Sequence, residues 1–338
     1  MIKGCLRRDP LNKYWVIFAP EKVSTIIKQS SEQEADFDLN PYAPGFEFAT
    51  GRDILRKINP AYADQNWSVR VFPAKKPVLL IESEVNFKGK GLYDVMERLG
   101  AHEVVVETPR QNIYFDQLSI EEIADVLNVV RERIGDLKKD TRFRYVMVSK
   151  NRGLAAGGTI NHNYSEIKAY PFVPPLVQAR IDNAVAYYNL KERCLLCDIV
   201  DQELESKERI VAKNDFFVAF CPYASRFPFE IMISPRKHGS VFNTALSDFD
   251  IDKELAKILR LVLLKIRKAL KAPAYNCVFH YPPVNSGEKE LIESKALHWY
   301  ISIIPKITNM MSDALEGGVY TNPTLPEEAA EFLKNIIE

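Results

Sequence analysis

The chain has 338 residues, with 45 Lys and Arg against 45 Asp and Glu, so its formal net charge is zero. That length holds two ordinary domains, and the balanced charge leaves no global basic field to recruit nucleic acid or anionic lipid. The start, Met1 to Arg8, lacks the apolar run of a signal peptide, and Leu261-Val262-Leu263-Leu264 sits among Lys and Arg rather than in a membrane span. A cytoplasmic protein is expected. Its odd count of five cysteines, in a reducing compartment, argues against a disulfide framework.

In chain order, Glu103-Val104-Val105-Val106-Glu107-Thr108-Pro109 is a β-branched run stopped by proline, which predicts a strand. Ser119-Ile120-Glu121-Glu122 reads as a capping box. Ile120, Ile123, Val126, Leu127, Val130, Ile134 and Leu137 then recur at helical spacing. A strand follows at Tyr145-Val146-Met147-Val148. A glycine-rich loop from Gly153 to Gly158 then leads into His162-Asn163-Tyr164-Ser165-Glu166-Ile167.

The second half repeats this order. Phe229 to Pro235 is a strand ended by proline, and Ser247 can cap a helix carrying Leu255, Ile258, Leu259, Val262, Ile266 and Leu270. A strand near Asn276-Cys277-Val278-Phe279 comes next, and a polar loop delivers His298-Trp299-Tyr300. Both halves therefore close on an H-x-Y strand. The pattern predicts an α+β fold of two repeats, residues 1–175 and 176–338, each an antiparallel sheet with a long helix and related by a pseudo-two-fold axis. The join falls between Pro174-Pro175 and Tyr188.

Several segments carry a family resemblance. Arg8-Asp9-Pro10-Leu11 with Trp15-Val16-Ile17, Asn151-x-Gly153 with Ala156-Gly157-Gly158-Thr159, Cys194-x-x-Cys197, and Phe227-Pro228-Phe229-Glu230 resemble motifs of the galactose-1-phosphate uridylyltransferase family, of histidine-triad type. Pro235 to His238, His298-Trp299 and Gly317-Gly318-Val319-Tyr320-x-Asn322 continue the match in family order. The nearest branch has a second zinc site and includes plant ADP-glucose phosphorylase. The resemblance implies nucleotidyl transfer through a strand histidine, with a nucleotide sugar and a sugar phosphate or phosphate as reactants. It also implies a homodimer.

This chain departs from that pattern. Where the family strand reads H-P-H-x-Q, it has His162-Asn163-Tyr164-Ser165-Glu166, placing Tyr164 at the nucleophile position and Glu166 at the glutamine. The family's first metal set falls on Asn40, Ala43, Gln111 and His162; one imidazole does not hold zinc, so that site is expected to be absent. Thr25, and Lys75-Lys76 after Arg70, also stand at altered contact positions. A phenol, with a pKa of about 10, needs a base or positive field where an imidazole of about 6.5 does not. Glu166 lies on the same strand face and can accept that proton.

The second metal set, Cys194, Cys197, His238 and His298, is complete and suits structural zinc with no open position, although C-x-x-C also suits redox chemistry. Each remaining candidate carries two readings. Tyr164 either fills space or touches ligand, and Glu166 divides similarly. His162 hydrogen-bonds locally as a remnant ligand. Asn151, Gly153, Gly157, Gly158 and Thr159 form a phosphate cradle or a plain turn, and Arg70 is a substrate contact by family position. His102 reads as structural, His280 as a loop residue, and Cys5, Cys221 and Cys277 as inert. Three functions compete: an enzyme acting on a nucleotide sugar by non-standard chemistry, a catalytically inactive nucleotide or sugar-phosphate binder, and the ordinary uridylyltransferase reaction.

Overall fold

A computed structural model describes residues 4–28, 40–59, 67–239 and 249–337. Strands β1 (Cys5–Arg8) and β2 (Trp15–Phe18) form a hairpin, followed by helix α1 (Val23–Lys28). Next come β3 (Leu55–Lys57), β4 (Val69–Pro73), the small hairpin of β5 (Lys88–Lys90) and β6 (Tyr93–Val95), and β7 (Ala101–Val106). Helix α2 (Ile120–Leu137), β8 (Tyr145–Arg152) and β9 (Tyr164–Tyr170) complete the first half. Helices α3 (Pro175–Lys191) and α4 (Leu195–Ser206) lead into β10 (Ile210–Lys213), β11 (Phe217–Phe220) and β12 (Ile231–Pro235). Helix α5 (Phe249–Leu270), β13 (Tyr275–His280), α6 (Glu290–Ala296) and β14 (Tyr300–Pro305) follow, and α7 (Ser312–Gly317), β15 (Val319–Asn322) and α8 (Pro326–Lys334) end the chain.

The capping box at α2 forms as the sequence predicts: Ser119 Oγ accepts from Glu122 N–H at 3.1 Å, and Glu122 accepts from Ser119 N–H at 2.6 Å. The cap read at Ser247 lies outside the described residues. Each H-x-Y enters its strand at the tyrosine, Tyr164 opening β9 and Tyr300 opening β14.

The two antiparallel sheets, one per half, are joined edge to edge. Ten strands form a single sheet in the order β10-β11-β12-β14-β13-β8-β9-β7-β4-β3. Neighbours are antiparallel throughout, and the halves meet where β8 pairs with β13, from Arg152 opposite Tyr275 to Val148 opposite Phe279. From either edge inwards, each half contributes five strands in corresponding sequence order. The physical reason for the join is edge removal. Separate sheets would leave β8 and β13 as apolar edges, and pairing them satisfies both ladders at once.

Helices α2 and α5 cover one face and share one core with it. Val105, Val148 and Ile167 from the sheet meet Ile123, Val130 and Ile134 of α2 and Ile258, Leu259 and Val262 of α5. Buried charges tie the halves together across this layer: Arg131 on α2 pairs with Asp252 on α5. Arg267 of α5 reaches Asp116 at 2.7 Å, and Arg260 Nε donates to the Asp116 carbonyl at 3.0 Å. On the opposite face, α3 packs Val177, Ile181 and Ala184 against Tyr145, and α4 packs Leu195, Leu196 and Val200 against Val218, Phe220 and Met232. Outside the main sheet, β15 runs parallel to β2, pairing Val319 with Trp15 and Asn322 with Phe18. Among the described residues, no helix is long and apolar enough to cross a membrane.

The Asp116 side chain is buried, and its carboxylate accepts from Arg267 Nε and Nη2. Asp116→Ala is expected to lower the unfolding free energy by about 1–3 kcal/mol in urea denaturation. An unchanged midpoint and slope would show that this bridge adds nothing to the union of the halves.

Candidate functional site

The alternation of β9 sends Ser165, Ile167 and Ala169 towards the helices and Tyr164, Glu166 and Lys168 to the other face. The glycine loop arrives beside Tyr164 from the end of β8. Gly153 and Gly157 hold φ of 80° and 83°, a region that favours glycine. At Gly158 a Cβ would stand 2.6 Å from the Asn151 carbonyl oxygen, so only glycine permits the turn. Within the loop, Ala156 N–H and Gly158 N–H donate to the Gly153 carbonyl, and Gly157 N–H donates to Leu154.

The next amide points outwards. Thr159 N–H donates to the Tyr164 hydroxyl at 3.2 Å. Tyr164 itself is buried in an apolar cluster with Trp67, Phe72, Val104 and Val106, and the Tyr42 ring meets it edge-on at 5.2 Å. Asn151 is braced from the second half: its Oδ1 accepts from Asn276 Nδ2 at 2.7 Å, and the same amide donates to the Ala156 carbonyl at 2.8 Å. Asn276 escaped the sequence reading as a site residue. It faces Asn151 only because β13 pairs with β8, a contact between halves that no local pattern signals.

Glu166 is held at both oxygens, by His102 Nε2 at 3.2 Å and Lys168 Nζ at 2.8 Å. The His102 bond, more than the lysine, outweighs burial and pulls the carboxyl down to about 2. His102 Nδ1 accepts from Val78 N–H at 3.3 Å, which leaves Nε2 as the protonated nitrogen facing Glu166. Read from sequence as structural, His102 therefore stands directly behind a site candidate.

His162 lies beneath the strand. Its Nε2–H donates to the Thr108 carbonyl at 2.8 Å, and Nδ1 accepts from Asn40 Nδ2 at 3.0 Å. Asn40 also reaches Gln111 at 3.4 Å. Burial, opposed by the Thr108 bond, lowers the imidazole to about 4, so it is neutral near pH 7. Arg70 packs on Trp67 and Phe72, which share the Tyr164 cluster. Its guanidinium is fully buried between Trp67 and Phe72 and binds Asp53 at 2.7 Å and Thr50 at 3.0 Å.

A second cluster forms in the other half, at the start of α4. The ligand atoms of Cys194, Cys197, His238 and His298 all lie within 4.8 Å of one another. Cys197 Sγ stands 3.3 Å from Nδ1 of each histidine, close to the roughly 3.5 Å sulfur–nitrogen edge of a tetrahedral zinc site. His238 Nε2–H donates to the Ser294 carbonyl at 2.9 Å, which aims Nδ1 at the sulfurs, as second-shell partners of metal ligands do. The Cys197 thiol and the two imidazoles hold the Cys194 thiol well below its ordinary range. Two sulfurs and two imidazoles so arranged can coordinate a metal ion.

His162 and Glu166 together set an acid limit. Both folded-state values are depressed, so each group withdraws stability as pH falls. For His162 the window runs from 6.5 to about 4, and for Glu166 from 4.5 to about 2. Denaturation free energy measured against pH should fall across both windows. His162→Asn should flatten the upper limb and Glu166→Gln the lower one; unchanged slopes would refute the assignment.

Known proteins share this architecture. The galactose-1-phosphate uridyl transferase C-terminal domain family matches residues 180–311. ADP-glucose phosphorylase from Arabidopsis thaliana is 31% identical over 338 residues, covering 98% of this chain and 92% of that protein. Galactose-1-phosphate uridylyltransferase from Thermotoga maritima is 30% identical, covering 97% of each. The crystal structure of an Arabidopsis thaliana ADP-glucose phosphorylase with bound ADP-glucose superposes with a TM-score of 0.83 at 29% identity, over 99% of this chain and 100% of that one. With identity at this level sustained along nearly the whole length, the chain belongs to the galactose-1-phosphate uridylyltransferase family, ADP-glucose phosphorylase included.

Proposed function

We propose that this chain binds a nucleotide sugar or sugar phosphate between the glycine loop and β9, with Tyr164 as a phosphate contact rather than a nucleophile. The observation that carries this reading is the bond from Thr159 N–H to the Tyr164 hydroxyl. That bond occupies one lone pair of the phenol oxygen, and the hydroxyl's only other partner among the described residues, Thr159 Oγ1 at 3.5 Å, is long enough to be exchanged for a phosphoryl oxygen. Attack on phosphorus would instead require the proton to leave. Glu166 is the neighbouring base, and a carboxyl at about 2 is a poor acceptor. The ligand-binding function of the family is thereby retained without a nucleotidyl-tyrosine intermediate.

In the same proposal Cys194, Cys197, His238 and His298 hold one zinc ion in a closed site, which ties α4 to the ends of β12 and β14 and does no chemistry. The chain divides into repeats 1–175 and 176–338, related by a pseudo-two-fold axis through the β8–β13 pair, where Ser149 faces Val278. A homodimer, by family resemblance, and a cytoplasmic location complete the proposal.

Calorimetric titration with UDP-glucose, ADP-glucose and glucose 1-phosphate should detect binding to the zinc-loaded protein. Tyr164→Phe should weaken it by roughly 1 kcal/mol, the size of one neutral hydrogen bond. Glu166→Gln should tighten it, because a fixed negative charge is removed from beside an anion. Intact-mass analysis should find no nucleotidyl adduct. An adduct on Tyr164 that disappears in Tyr164→Phe would establish covalent transfer instead, and no binding by any of the three ligands would overturn the proposal. Metal analysis should give about one zinc per chain.

A further inference from the structure

The segment from Asn40 to Thr50 crosses the open face of the first half and brings Tyr42 against Tyr164. Two side chains anchor it on either side of that ring. Glu47 accepts from Trp67 Nε1 at 2.9 Å. Asn40 makes the other anchor, and its geometry is unusually complete. Its Oδ1 accepts from Tyr42 N–H at 3.1 Å, folding its own turn, while its backbone carbonyl accepts from Ala43 N–H at 3.2 Å. Because Oδ1 faces an N–H, Nδ2 is the atom that faces the sheet. It donates to His162 Nδ1 at 3.0 Å.

The imidazole is a fixed receiver. Its Nε2 faces the Thr108 carbonyl, which can only accept, so Nε2 carries the proton and Nδ1 presents a lone pair. His162 is 4% exposed, and water has little access to compete for that lone pair. One amide thus fixes the backbone of Tyr42 with its oxygen and the end of β9 with its nitrogen. No other residue of the turn does both.

We propose that Asn40 is a positioning residue: its amide latches onto His162 and so holds the Tyr42 ring against Tyr164. A ligand beside Tyr164 would meet the Tyr42 ring in place only while the latch is closed. The affinity part of this inference rests on the ligand reading above; the placement of Tyr42 does not.

The test has two arms, both on the full zinc-loaded chain. In the first, fluorotyrosine-labelled protein is examined by fluorine NMR, with the Tyr42 and Tyr164 signals assigned through Tyr42→Phe and Tyr164→Phe. Asn40→Ser keeps an acceptor for Tyr42 N–H but is too short to reach His162. It should shift the Tyr42 signal and broaden it by motion, as should Asn40→Ala. The second arm is a double-mutant cycle on affinity for UDP-glucose, ADP-glucose and glucose 1-phosphate. Asn40→Ala and Tyr42→Ala should each weaken binding by roughly fivefold to tenfold, and the double variant no further than the worse single. Additive losses would place Asn40 outside the Tyr42 path and overturn the proposal. So would an undisturbed Tyr42 signal in Asn40→Ser. Should Asn40→Ala fail to fold, Asn40→Ser serves in both arms. Should the unmodified chain bind none of the three probes, the ligand reading fails while the fluorine spectra still decide the latch.

Discussion

The pairing of β8 with β13 is the constraint on which the rest of the molecule depends. Each strand belongs to a different half, and each would be an apolar edge without the other. Once they pair, α2 and α5 must lie side by side on one continuous floor, and their apolar faces merge into a shared core. The buried charges then have a defined geometry to satisfy. Arg131 with Asp252 and Arg267 with Asp116 join helices that sequence alone would assign to separate units. Such pairs contribute little net stability where burial is deep, but they disfavour any slipped packing of the two layers. The same seam reaches the candidate site, because Asn276 crosses it to fasten Asn151 and the glycine loop.

The site itself is a set of polar groups that answer one another. Thr159 N–H meets the Tyr164 hydroxyl, His102 meets Glu166, and Asn40 meets His162. Each bond holds a side chain in one protonation state or one orientation. A neutral His162 and an ionised Glu166 follow from their surroundings rather than from the residue types. Tyrosine at the head of β9 is therefore one member of a linked polar set. An amide stands over the imidazole beneath it, and a carboxylate occupies the next position on its face.

Much of this was legible in the sequence because it is local. The α2 capping box, the proline-stopped strand before it and the helical spacing of Ile123, Val130 and Ile134 depend on neighbours a few residues away. The four residues of the metal-capable cluster were also legible, through the family resemblance more than through spacing, since C-x-x-C alone also suits redox chemistry. What the sequence hid is tertiary. Two half-sheets and one continuous sheet share the same alternation, so the β8–β13 seam has no local signature. Asn276 looked like any strand asparagine until the register placed it opposite Asn151. His102 looked structural because nothing in its own segment reveals that Glu166 faces it across β7 and β9. Arg70 was recognisable as a family position, but its burial against Trp67 and its pairing with Asp53 depend on how the preceding segment folds back.

The parallel pairing of β15 with β2 has a consequence for synthesis. Trp15 to Phe18 receive one neighbour from β1 almost at once, but the other comes from Val319 to Asn322. On the ribosome, the β1–β2 hairpin therefore waits with one side open until residues 319–322 have been made. It also carries Asn12, which receives a bond from Arg180 on the helix that opens the second half. Strands made some three hundred residues before their partner are thus completed late. This places a sequence-distant contact at the end of folding, where loop closure is slowest and an exposed edge persists longest.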